Sequence, residues 1–379
     1  MRIESDVVVI GAGIAGSSMA YRLAKDGWKV VLLDKNKYPR HKACGEFLSP
    51  EARSTLRRFE LEEHVRALNP AEIVTVRIHS ESGGRLEIPL PGQAWGVSRY
   101  ALDAALQEAA AMKGASIHTP CAVSRVTQSE RGNRVEGASE NGPLELFGRV
   151  AIGAWGRRPF SANRTNAHAG GRTYVGIKSH YASSDRQPIV DLYFFRGGYV
   201  GVSPVEGNRL NVAALVTCSA FQSLGASSAL ERILDGACKH VPEWKERLAG
   251  ATPLTETRSA TSPVLVRRTP TAWSDIPCIG DSLAVIPPFC GDGMSMALRS
   301  SELCAPLADD YLRGIITETE WRIQYTGLIE RQFSGALRWG SVLERTLTQS
   351  VLCGVLLRLG AIWPKAAQAL VRATRLGSD

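Results

Sequence analysis

The hydrophobic pattern at the N-terminus predicts a strand, a helix and a second strand. Residues Asp6 to Ile10 read D-V-V-V-I, an uninterrupted apolar run typical of a parallel strand that is buried on both faces. Ser17 to Lys25 has helical character, and Gly27 follows it as the residue that ends the helix. Lys29 to Leu33 is a second apolar run and leads into Asp34. This order is typical of the start of a Rossmann-like unit.

The middle of the chain has a different pattern, which predicts antiparallel strands. Between Tyr174 and Val216, aromatic and β-branched runs are split by Gly197-Gly198 and by the segment from Glu206 to Asn208, which are turn signals. Val74 to Pro89 also alternates, and we expect it to join the same sheet.

Side-chain parity divides the aromatic residues of this sheet between two faces. Tyr193, Phe195 and Tyr199 share one parity, and Phe194 and Val200 share the other. Because successive side chains of a strand point to opposite faces, we expect one face to be core and the other to be available to a pocket. Packing is the simpler interpretation of each aromatic residue.

The C-terminal pattern is helical from Ser300 onward, over Glu318 to Thr348 and then Val351 to Thr374. The last segment is apolar on one side and carries basic residues. Packing on the core explains that side most simply, and contact with a membrane surface or a lipid substrate is the alternative. The segment from Val351 to Trp363 is too short to span a bilayer, which needs roughly 18 apolar residues.

Three glycines make the N-terminal unit a candidate nucleotide site. Gly11 permits a tight turn, Gly13 lets the backbone approach a pyrophosphate, and Gly16 lets the helix pack closely on the strand. The helix N-terminus offers free N–H groups and a positive dipole end to the phosphates. Asp34 lies where an acidic side chain takes the ribose hydroxyls, which argues against a 2′-phosphate at this site.

A second glycine-rich stretch distinguishes FAD from NAD, which the N-terminal fingerprint alone does not. Cys278 to Ala297 reads C-I-G-D-S-L-A-V-I-P-P-F-C-G-D-G-M-S-M-A. An apolar strand is predicted to lead into Gly280-Asp281, and a helix is predicted to begin near Met294. A helix N-terminus at this position can stabilise negative charge, as on a reduced flavin ring. The pattern therefore favours FAD.

Together these motifs resemble the flavoprotein superfamily that contains para-hydroxybenzoate hydroxylase-type monooxygenases, geranylgeranyl reductases and flavin-dependent halogenases. The shared segments come in the order of that superfamily and span most of residues 5 to 300. They are G-A-G-I-A-G (Gly11 to Gly16), P-R-H-K-A-C-G-E (Pro39 to Glu46), V-S-R-Y-A-L-D (Val97 to Asp103), G-A-W-G-R (Gly153 to Arg157), G-D-S (Gly280 to Ser282) and P-P-F-C-G-D-G-M (Pro287 to Met294).

The resemblance implies roles for individual residues in FAD binding. Asp34 is expected to bind the adenosine ribose, Arg99 to lie near the phosphates, and Asp281 to bind the ribityl or pyrophosphate region. The other implied cofactor residues surround the adenine, the phosphates and the isoalloxazine. They are Gly11, Gly13, Ala15, Gly16, Lys35, Arg40, Ala43, Cys44, Gly45, Val123, Ala154, Gly156, Gly280, Pro288, Gly291, Gly293 and Met294.

The same resemblance implies the fold. We predict an α/β chain with α+β elements, in which a Rossmann-like FAD-binding domain (GR2-type) is followed by an antiparallel-sheet substrate domain and C-terminal helices. The FAD-binding domain comprises residues 1–75, 96–165 and 270–305. The substrate domain comprises residues 76–95 and 166–269, and the helical region comprises residues 306–379. A length of 379 residues suits such a division.

Four residues are candidates for catalysis. Cys44 is flanked by Arg40 and Lys42, and such cations lower the pKa of a thiol if they are close. Lys178 and His180 fall on one face of the strand, and His180 is a possible acid or base. Tyr199 is the fourth candidate.

Bland interpretations accompany these candidates. Cys44 could be only a small side chain in a tight loop, and His180 could be solvated or structurally bonded. His41 and His168 are weaker candidates. The eight cysteines form no Cys-x-x-Cys pair, so neither a metal site nor a dithiol site is suggested.

Net charge and composition limit the classes of partner that the chain is expected to bind. The net charge of +8 fits an Arg-rich solvated surface, or attraction of anionic cofactors and membrane surfaces. We find no nucleic-acid motif. The chain opens with a short charged stretch and then a strand, so we expect a cytoplasmic protein, with peripheral membrane contact or a carrier-protein partner as options. The oligomeric state stays open.

The sequence leaves four functions open for an FAD-dependent oxidoreductase. We favour an NAD(P)H-dependent monooxygenase that hydroxylates a small hydrophobic or aromatic substrate. NAD(P)H would bind transiently, because the sequence has one dinucleotide fingerprint. Trp155 stands where the superfamily often has an Asp that supports FAD and NADPH binding in the hydroxylases.

A geranylgeranyl-reductase-like reductase or dehydrogenase is the alternative, and Pro39 to Glu46 resembles that branch most. Gly201 and Ser203, however, replace bulky aromatic residues of those enzymes. A flavin-dependent halogenase ranks third, since its Trp-x-Trp-x-Ile-Pro signature is absent. A redox module acting on a partner protein is the fourth option.

Overall fold

Two β-sheets organise the protein. The computed structural model describes residues 2–157, 173–223, 233, 243–266, 269–363, 365, 369 and 375. In chain order, the described strands are β1 (Arg2–Ile10), β2 (Val30–Leu33), β3 (Phe47–Leu48), β4 (Ala71–Ser80), β5 (Arg85–Gly96), β6 (Ser116–His118), β7 (Cys121–Ser129), β8 (Gly132–Ser139), β9 (Gly142–Gly153), β10 (Thr173–Ala182), β11 (Ile189–Phe195), β12 (Gly198–Val205), β13 (Arg209–Thr217) and β14 (Thr252–Leu265).

Helices cover these sheets. In chain order, the described helices are α1 (Ile14–Lys25), α2 (Pro50–Arg58), α3 (Glu62–Arg66), α4 (Arg99–Met112), α5 (Cys218–Ser223), α6 (Glu243–Arg247), α7 (Gly293–Leu312), α8 (Glu318–Leu347) and α9 (Ser350–Ile362). Gly280–Ser282 and Pro288–Cys290 form short 3₁₀ turns.

The first sheet has the order β6-β2-β1-β9-β8-β7, and its first four strands are parallel. The apolar run of β1 lies at its centre, where Val7, Val8 and Val9 are completely buried. Helices α4 and α7 pack against α1 on one face of this sheet. The predicted Rossmann-like arrangement is therefore confirmed, and the carboxyl ends of β1, β2 and β9 meet at one edge.

The second sheet has the order β14-β10-β13-β12-β11-β4-β5-β3. Its neighbours pair antiparallel except β11 and β4, which pair parallel. Val74 to Pro89 joins this sheet as expected. Phe47–Leu48 and residues 71–75 also pair into it, although the predicted division assigned them to the FAD-binding segments.

The parity expected for the aromatic residues of this sheet is wrong. A turn at Arg196 and Gly197 separates β11 from β12, and the strands pair Tyr193 with Val200 and Phe194 with Tyr199. Tyr199 therefore shares a face with Phe194, and its ring lies 5.4 Å from the Phe194 ring. The parity count failed because a turn resets the alternation between two strands.

Of two further local expectations, the strand before Gly280 is wrong and the helix near Met294 is confirmed. The apolar residues before Gly280 form no strand, because Cys278 makes only one isolated bridge, with Gly153. The helix expected near Met294 is present as α7, which begins at Gly293.

The C-terminal helices cover one face of the second sheet. Helix α8 begins with a capping box between Thr317 and Glu320, and α9 follows it directly. Leu343 of α8 and Leu357 of α9 pack with the aromatic residues of the sheet. Among the described residues, no helix combines the length and apolarity needed to cross a bilayer. Most of the predicted segment beyond residue 363 lies outside the described residues.

Candidate active site

A cavity of about 460 Å³ runs along the carboxyl edge of the first sheet and reaches β14 of the second. Its volume lies within the range of small-molecule sites. It is lined by every residue that the sequence analysis assigned to the cofactor except Gly16. Those lining residues are Gly11, Gly13, Ala15, Asp34, Lys35, Arg40, Ala43, Cys44, Gly45, Arg99, Val123, Ala154, Gly156, Gly280, Asp281, Pro288, Gly291, Gly293 and Met294.

The turn between β1 and α1 leaves no room for side chains. Gly11 has a φ of +115°, and a Cβ there would lie 2.1 Å from the carbonyl oxygen of Ala154. A Cβ on Gly16 would lie 1.8 Å from the carbonyl oxygen of Gly11, so Gly16 acts on helix packing and not on the cavity wall. Gly13 caps α1 without a side-chain hydrogen bond. The first-turn N–H groups are thus available to an anion.

Asp34 is held in place at the end of β2. Its Oδ2 accepts hydrogen bonds from the Ala12 N–H at 3.0 Å and from the Tyr38 hydroxyl at 3.1 Å. Its Oδ1 accepts from the backbone and side chain of Asn36, each at 2.9 Å. These bonds fix the carboxylate at the cavity wall, where a ribose would lie if a dinucleotide bound as in other Rossmann-like sites.

Two cations lie beside Gly13 and share one buried carboxylate. Arg99 donates two hydrogen bonds of 2.9 Å to Asp103, and Lys42 Nζ donates one of 2.6 Å. A Cβ built on Gly13 would be 3.7 Å from both Arg99 Nη2 and Lys42 Nζ. One positive charge is therefore left over where the backbone could approach a diphosphate.

Burial and pairing act on this group in opposite directions. Burial would raise the pKa of Asp103, but Arg99 and Lys42 outweigh it and hold that pKa below its ordinary value. Burial lowers the pKa of Lys42 to about 8, against the attraction of Asp103. Sequence reasoning noted Lys42 only as a neighbour of Cys44. Lys42 could have been found from the sequence because it lies in the same motif as Arg40, which was assigned to the cofactor.

Glycines help to shape the other end of the cavity, around Gly291, which we call the glycine-rich end. Gly280 and Gly291 have φ values of +64° and +74°. A Cβ on Gly291 would lie 2.9 Å from the Phe47 ring, and one on Gly280 would lie 2.9 Å from the Ala15 methyl group. Helix α7 begins here at Gly293, so its N-terminus faces this end.

Asp292 precedes α7 and is buried. It is 1% exposed, and neither carboxylate oxygen has a hydrogen-bond partner among the described residues. Burial raises the pKa of Asp292 to about 7, although Arg375 opposes this shift. Sequence reasoning assigned no role to this residue. Its burial depends on distant elements, so no local pattern announced it.

The loop that carries Cys44 is fixed from both sides. The Asn211 side chain donates to the Cys44 carbonyl oxygen at 2.9 Å, and the Glu46 N–H donates to Cys44 Sγ at 3.4 Å. Glu46 has a φ of +56°, a left-handed conformation that is uncommon outside glycine. Cys44 lines the cavity, three residues before Phe47.

Lys178 and His180 meet Glu46 in a completely buried cluster. Lys178 Nζ lies 2.9 Å from Glu46 Oε1 and 2.9 Å from His180 Nε2, and His180 Nε2 lies 2.6 Å from Glu46 Oε2. All three side chains have no exposed surface. Lys178 and His180 fall on one face, as the sequence indicated, but they do not line the cavity. They act on the cavity through Glu46, which does line it and was missed.

His41 extends this cluster toward the surface. Its Nδ1 lies 3.4 Å from Lys178 Nζ, and its ring stacks on the half-exposed Tyr100. Burial, with the charge of Lys178, lowers the pKa of His41 to about 4. His41 is therefore neutral at physiological pH.

Tyr199 stands apart from the cavity lining. Its ring packs with Phe194 and lies 6.3 Å from the Phe289 ring, and burial raises the pKa of its hydroxyl. Pro288, the neighbour of Phe289, does line the cavity. His168, the remaining histidine candidate, lies outside the described residues.

The residues present fit FAD. The cradle at Gly11 and Gly13 would receive the diphosphate next to Arg99 and Lys42, which together carry one more charge than Asp103 balances. The glycine-rich end at Gly291 would receive the isoalloxazine. Arg40 also lines the cavity, and its buried Nε has no hydrogen-bond partner among the described residues. An anionic cofactor would satisfy it.

Comparison with known proteins agrees with this arrangement. Residues 6–68 match the model of the FAD dependent oxidoreductase family. A menaquinone reductase of Mycolicibacterium smegmatis is 27% identical over 345 residues, which cover 81% of this chain and 77% of that protein. Digeranylgeranylglycerophospholipid reductase 2 of Methanopyrus kandleri is 25% identical over 351 residues, which cover 89% of this chain and 85% of that protein.

The chain is therefore similar to FAD-dependent oxidoreductases, through the family model at its N-terminus and through these two relatives over most of its length. The fold alone is also shared with the flavin-dependent brominase Bmp2, whose structure superposes with a TM-score of 0.79 at 18% identity and covers 98% of this chain and 93% of that chain. As in other flavoenzymes, the redox chemistry belongs to FAD, and the protein supplies binding, orientation and electrostatics. In this chain, Arg99 and Lys42 would hold the diphosphate and Asp34 the ribose.

Proposed function

We propose that the protein is a reductase that saturates a carbon–carbon double bond of a long apolar, isoprenoid-type lipid. One observation carries this choice: the two relatives reported above each cover more than three quarters of both chains, and they are named as reductases, of menaquinone and of digeranylgeranylglycerophospholipid. The sequence analysis favoured a monooxygenase and kept a geranylgeranyl-reductase-like reductase as the alternative. That reaction would use the same cofactor site, and it is the competing outcome of the test.

The walls at the glycine-rich end of the cavity support an apolar substrate. Phe47, Val285, Ile286 and Met294 line this end. Their side chains remove water from a bound hydrocarbon chain, which stabilises its binding roughly in proportion to the apolar area covered. An isoprenoid chain offers such area without polar groups that would need partners.

Cys44 is the candidate proton donor. Saturation of a double bond adds a hydride, which reduced FAD supplies when it is bound, and a proton. Cys44 lines the cavity, and its loop is held by Asn211 and Glu46. A positioned thiol in a lining of apolar and backbone groups can give a proton to the carbon that does not receive the hydride.

NAD(P)H is the proposed reductant of FAD. The fingerprint at β1 and α1 is the single dinucleotide signature of the sequence, so the reductant would bind transiently and leave before the lipid reacts. Trp155 takes the position of an Asp expected from the hydroxylases, and it lines the cavity. Comparing NADH with NADPH as electron donors tests this part of the proposal.

A mass measurement tests the reaction type. The FAD-loaded protein is reduced anaerobically with dithionite and mixed with menaquinone, or with a geranylgeranyl lipid, in detergent. We expect the lipid to reoxidise the flavin without oxygen, and the product to keep a gain of two hydrogen atoms after air has returned any quinol to the quinone. A product that gains one oxygen atom, and that forms only after air is admitted, would overturn the reductase proposal in favour of a monooxygenase.

Two cysteine variants test the role of Cys44. Cys44→Ser should keep FAD bound but slow flavin reoxidation by the lipid at least tenfold, because a hydroxyl is a much weaker acid than a thiol. Cys218→Ser is the matched control, since Cys218 is also half-buried but lies in α5, outside the cavity lining. Equal rates for both variants would remove Cys44 from the proton transfer.

A further inference from the structure

Helix α9 leaves a wide apolar surface uncovered. Its outward residues, with the tryptophan that follows the helix, form what we call the apolar strip. The strip consists of Val351 (73% exposed), Leu352 (47%), Val355 (49%), Leu359 (42%), Ile362 (67%) and Trp363 (62%). A contiguous exposed surface of large apolar side chains marks an interaction site more often than chance exposure.

The strip is not the core-facing side of the helix. Helical residues are about 100° apart around the axis, so the five helical residues of the strip fall within an arc of about 100°. The buried residues Cys353, Gly354, Leu357 and Gly360 fall on the opposite side. Helix α9 is therefore apolar on its inner and on its outer side, with Arg358 between them, and the inner side is already packed on the second sheet. Such a helix has a second apolar neighbour in its working environment.

The end of α8, which contacts α9, also exposes apolar residues. Leu343 and Leu347 of α8 pack inward on the core that also receives Cys353 and Leu357. Trp339 and Val342 are on the outer side of α8 and are 46% and 53% exposed. A tryptophan thus stands at each end of the surface, at Trp339 and Trp363, and its ring is suited to the boundary between hydrocarbon and headgroups.

The exposed charges along the helical stretch from Arg338 to Lys365 have one sign. Arg338, Arg345, Arg358 and Lys365 are exposed. Between Trp339 and Trp363 the single acidic residue is Glu344, which is buried and accepts a hydrogen bond from the Tyr174 hydroxyl. Apolar residues flanked along these helices by exposed Arg and Lys match an anionic lipid headgroup layer. The neighbouring acid Glu81 follows β4 of the second sheet and acts on Cys353, on the inner side of α9.

From this juxtaposition we infer that the outer faces of α8 and α9 dock the protein on an anionic lipid bilayer. The helices would lie in the interface plane, because no described helix is long and apolar enough to span it. A second copy fits the surface less well. In a two-fold dimer the same patch would meet itself, and the arginines of the two copies would face each other without a carboxylate between them.

Docking is separate from the reaction chosen above. Delivery of a lipid substrate would rest on the proposed function, whereas bilayer binding does not. The experiment therefore measures binding of the full-length, FAD-loaded protein and not turnover. The probes are sucrose-loaded vesicles of phosphatidylcholine alone, or of phosphatidylcholine with phosphatidylglycerol.

Cosedimentation with these vesicles decides the matter. We expect binding to the anionic vesicles, weak binding to the neutral ones, and loss of binding as salt is raised. Ile362→Asp combined with Val355→Asp should abolish binding. Arg358→Gln should weaken it by roughly fivefold, because one basic residue near an anionic surface contributes about 1 kcal/mol.

Ile323→Asp is the matched control, since Ile323 is as exposed as Ile362, at 67%, but lies near the start of α8. It should bind like the unchanged protein, and all variants should keep the same thermal unfolding midpoint. Absence of binding to anionic vesicles would overturn the inference, and so would equal losses for Ile323→Asp and Ile362→Asp. A protein that is dimeric until Ile362 is replaced would also overturn it, and would assign the surface to a second copy.

Discussion

At the scale of single residues, the buried cluster of Glu46, Lys178 and His180 combines stability with site geometry. The carboxylate of Glu46 accepts from both partners and also from the Arg99 N–H at 3.0 Å. Burial would raise the pKa of Glu46, but His180 and Lys178 outweigh it and hold that pKa below its ordinary value. The cluster thus ties the loop of Cys44 to the second sheet through an ionised carboxylate.

Breaking this cluster on one side should destabilise the protein strongly. Glu46→Gln leaves the Lys178 ammonium buried without a carboxylate, and removing one partner of a buried pair costs about 3–5 kcal/mol. Urea unfolding of the two proteins at pH 7 measures the difference. Glu46→Gln combined with Lys178→Met should recover part of the loss, because no unpaired charge remains. A double variant less stable than Glu46→Gln would contradict an ionic interaction between the two residues.

Asp292 predicts an unusual pH dependence. Its pKa rises from 3.8 to about 7 in the folded chain, so the unfolded chain loses this proton first as the pH increases. The folded state is then penalised progressively between about pH 4 and pH 7, and stability falls over that window. Asp292→Asn carries no charge in either state. Its midpoint of thermal unfolding, relative to the unchanged protein without FAD, should rise from pH 5 to pH 8.

Asp275→Asn is the control for this measurement, because Asp275 is exposed. It should give the same difference from the unchanged protein at both pH values. If Asp292→Asn shows no larger gain at pH 8 than at pH 5, then Asp292 is ionised in the folded chain despite its burial.

At the scale of elements, the contact between α1 and the turn after β1 depends on one missing side chain. Gly16→Ala would place a Cβ 1.8 Å from the Gly11 carbonyl oxygen, so the helix has to move away from the strand. Because the N-terminus of α1 forms the diphosphate cradle, we expect FAD affinity to fall by more than tenfold and the unfolding midpoint to drop. Flavin fluorescence quenching measures the affinity.

Gly335→Ala is the comparison for this helix substitution. Gly335 lies inside α8, and a Cβ there would meet nothing within 4 Å. Removing a glycine from a helix interior stabilises it by up to about 1 kcal/mol. Its FAD affinity should be unchanged. Equal FAD affinity in both variants would show that helix α1 tolerates displacement and would contradict the expected role of Gly16.

Sequence reasoning recovered the elements whose signals are local. A window of about thirty residues contains the apolar runs of β1 and β2 together with the glycines between them. The start of α7 near Met294 is also recognised from the residues beside it. The face of Tyr199 was not recovered, because it depends on where the turn at Arg196 and Gly197 interrupts the alternation.

Contacts between distant segments were also out of reach. Glu46 meets Lys178 and His180 across more than a hundred residues, and Lys42 meets Asp103 across 61. Each of these residues lay in or near a recognised motif, but its partner did not follow from spacing. Such pairs form only when the second sheet folds over the edge of the first, so a pattern along the chain does not contain them.

At the scale of the whole molecule, the cavity joins two sheets that have separate cores. Val7 and Val9 belong to the core of the first sheet, whereas Val202 and Val212 belong to a core of the second. Ser259, Ala260 and Thr261 of β14 line the cavity opposite the cradle of Gly11 and Gly13. A ligand that fills the whole cavity therefore contacts residues of both sheets. A ligand that fills only the end at Gly11 and Gly13 contacts the first sheet.

This arrangement predicts different protection by FAD and by ADP. At a hundredfold excess over its dissociation constant, either ligand stabilises the fold by about 2.7 kcal/mol through mass action. Local opening differs, however, because amide exchange reports each segment separately. FAD should slow exchange both at the turn of Gly11 and Gly13 and in β14 around Ala260. ADP should slow it only at the turn. Hydrogen–deuterium exchange read by mass spectrometry, at matched saturation, distinguishes the two patterns. Equal protection of β14 by ADP would mean that β14 is stabilised from the nucleotide end, and that the isoalloxazine does not lie between the two sheets.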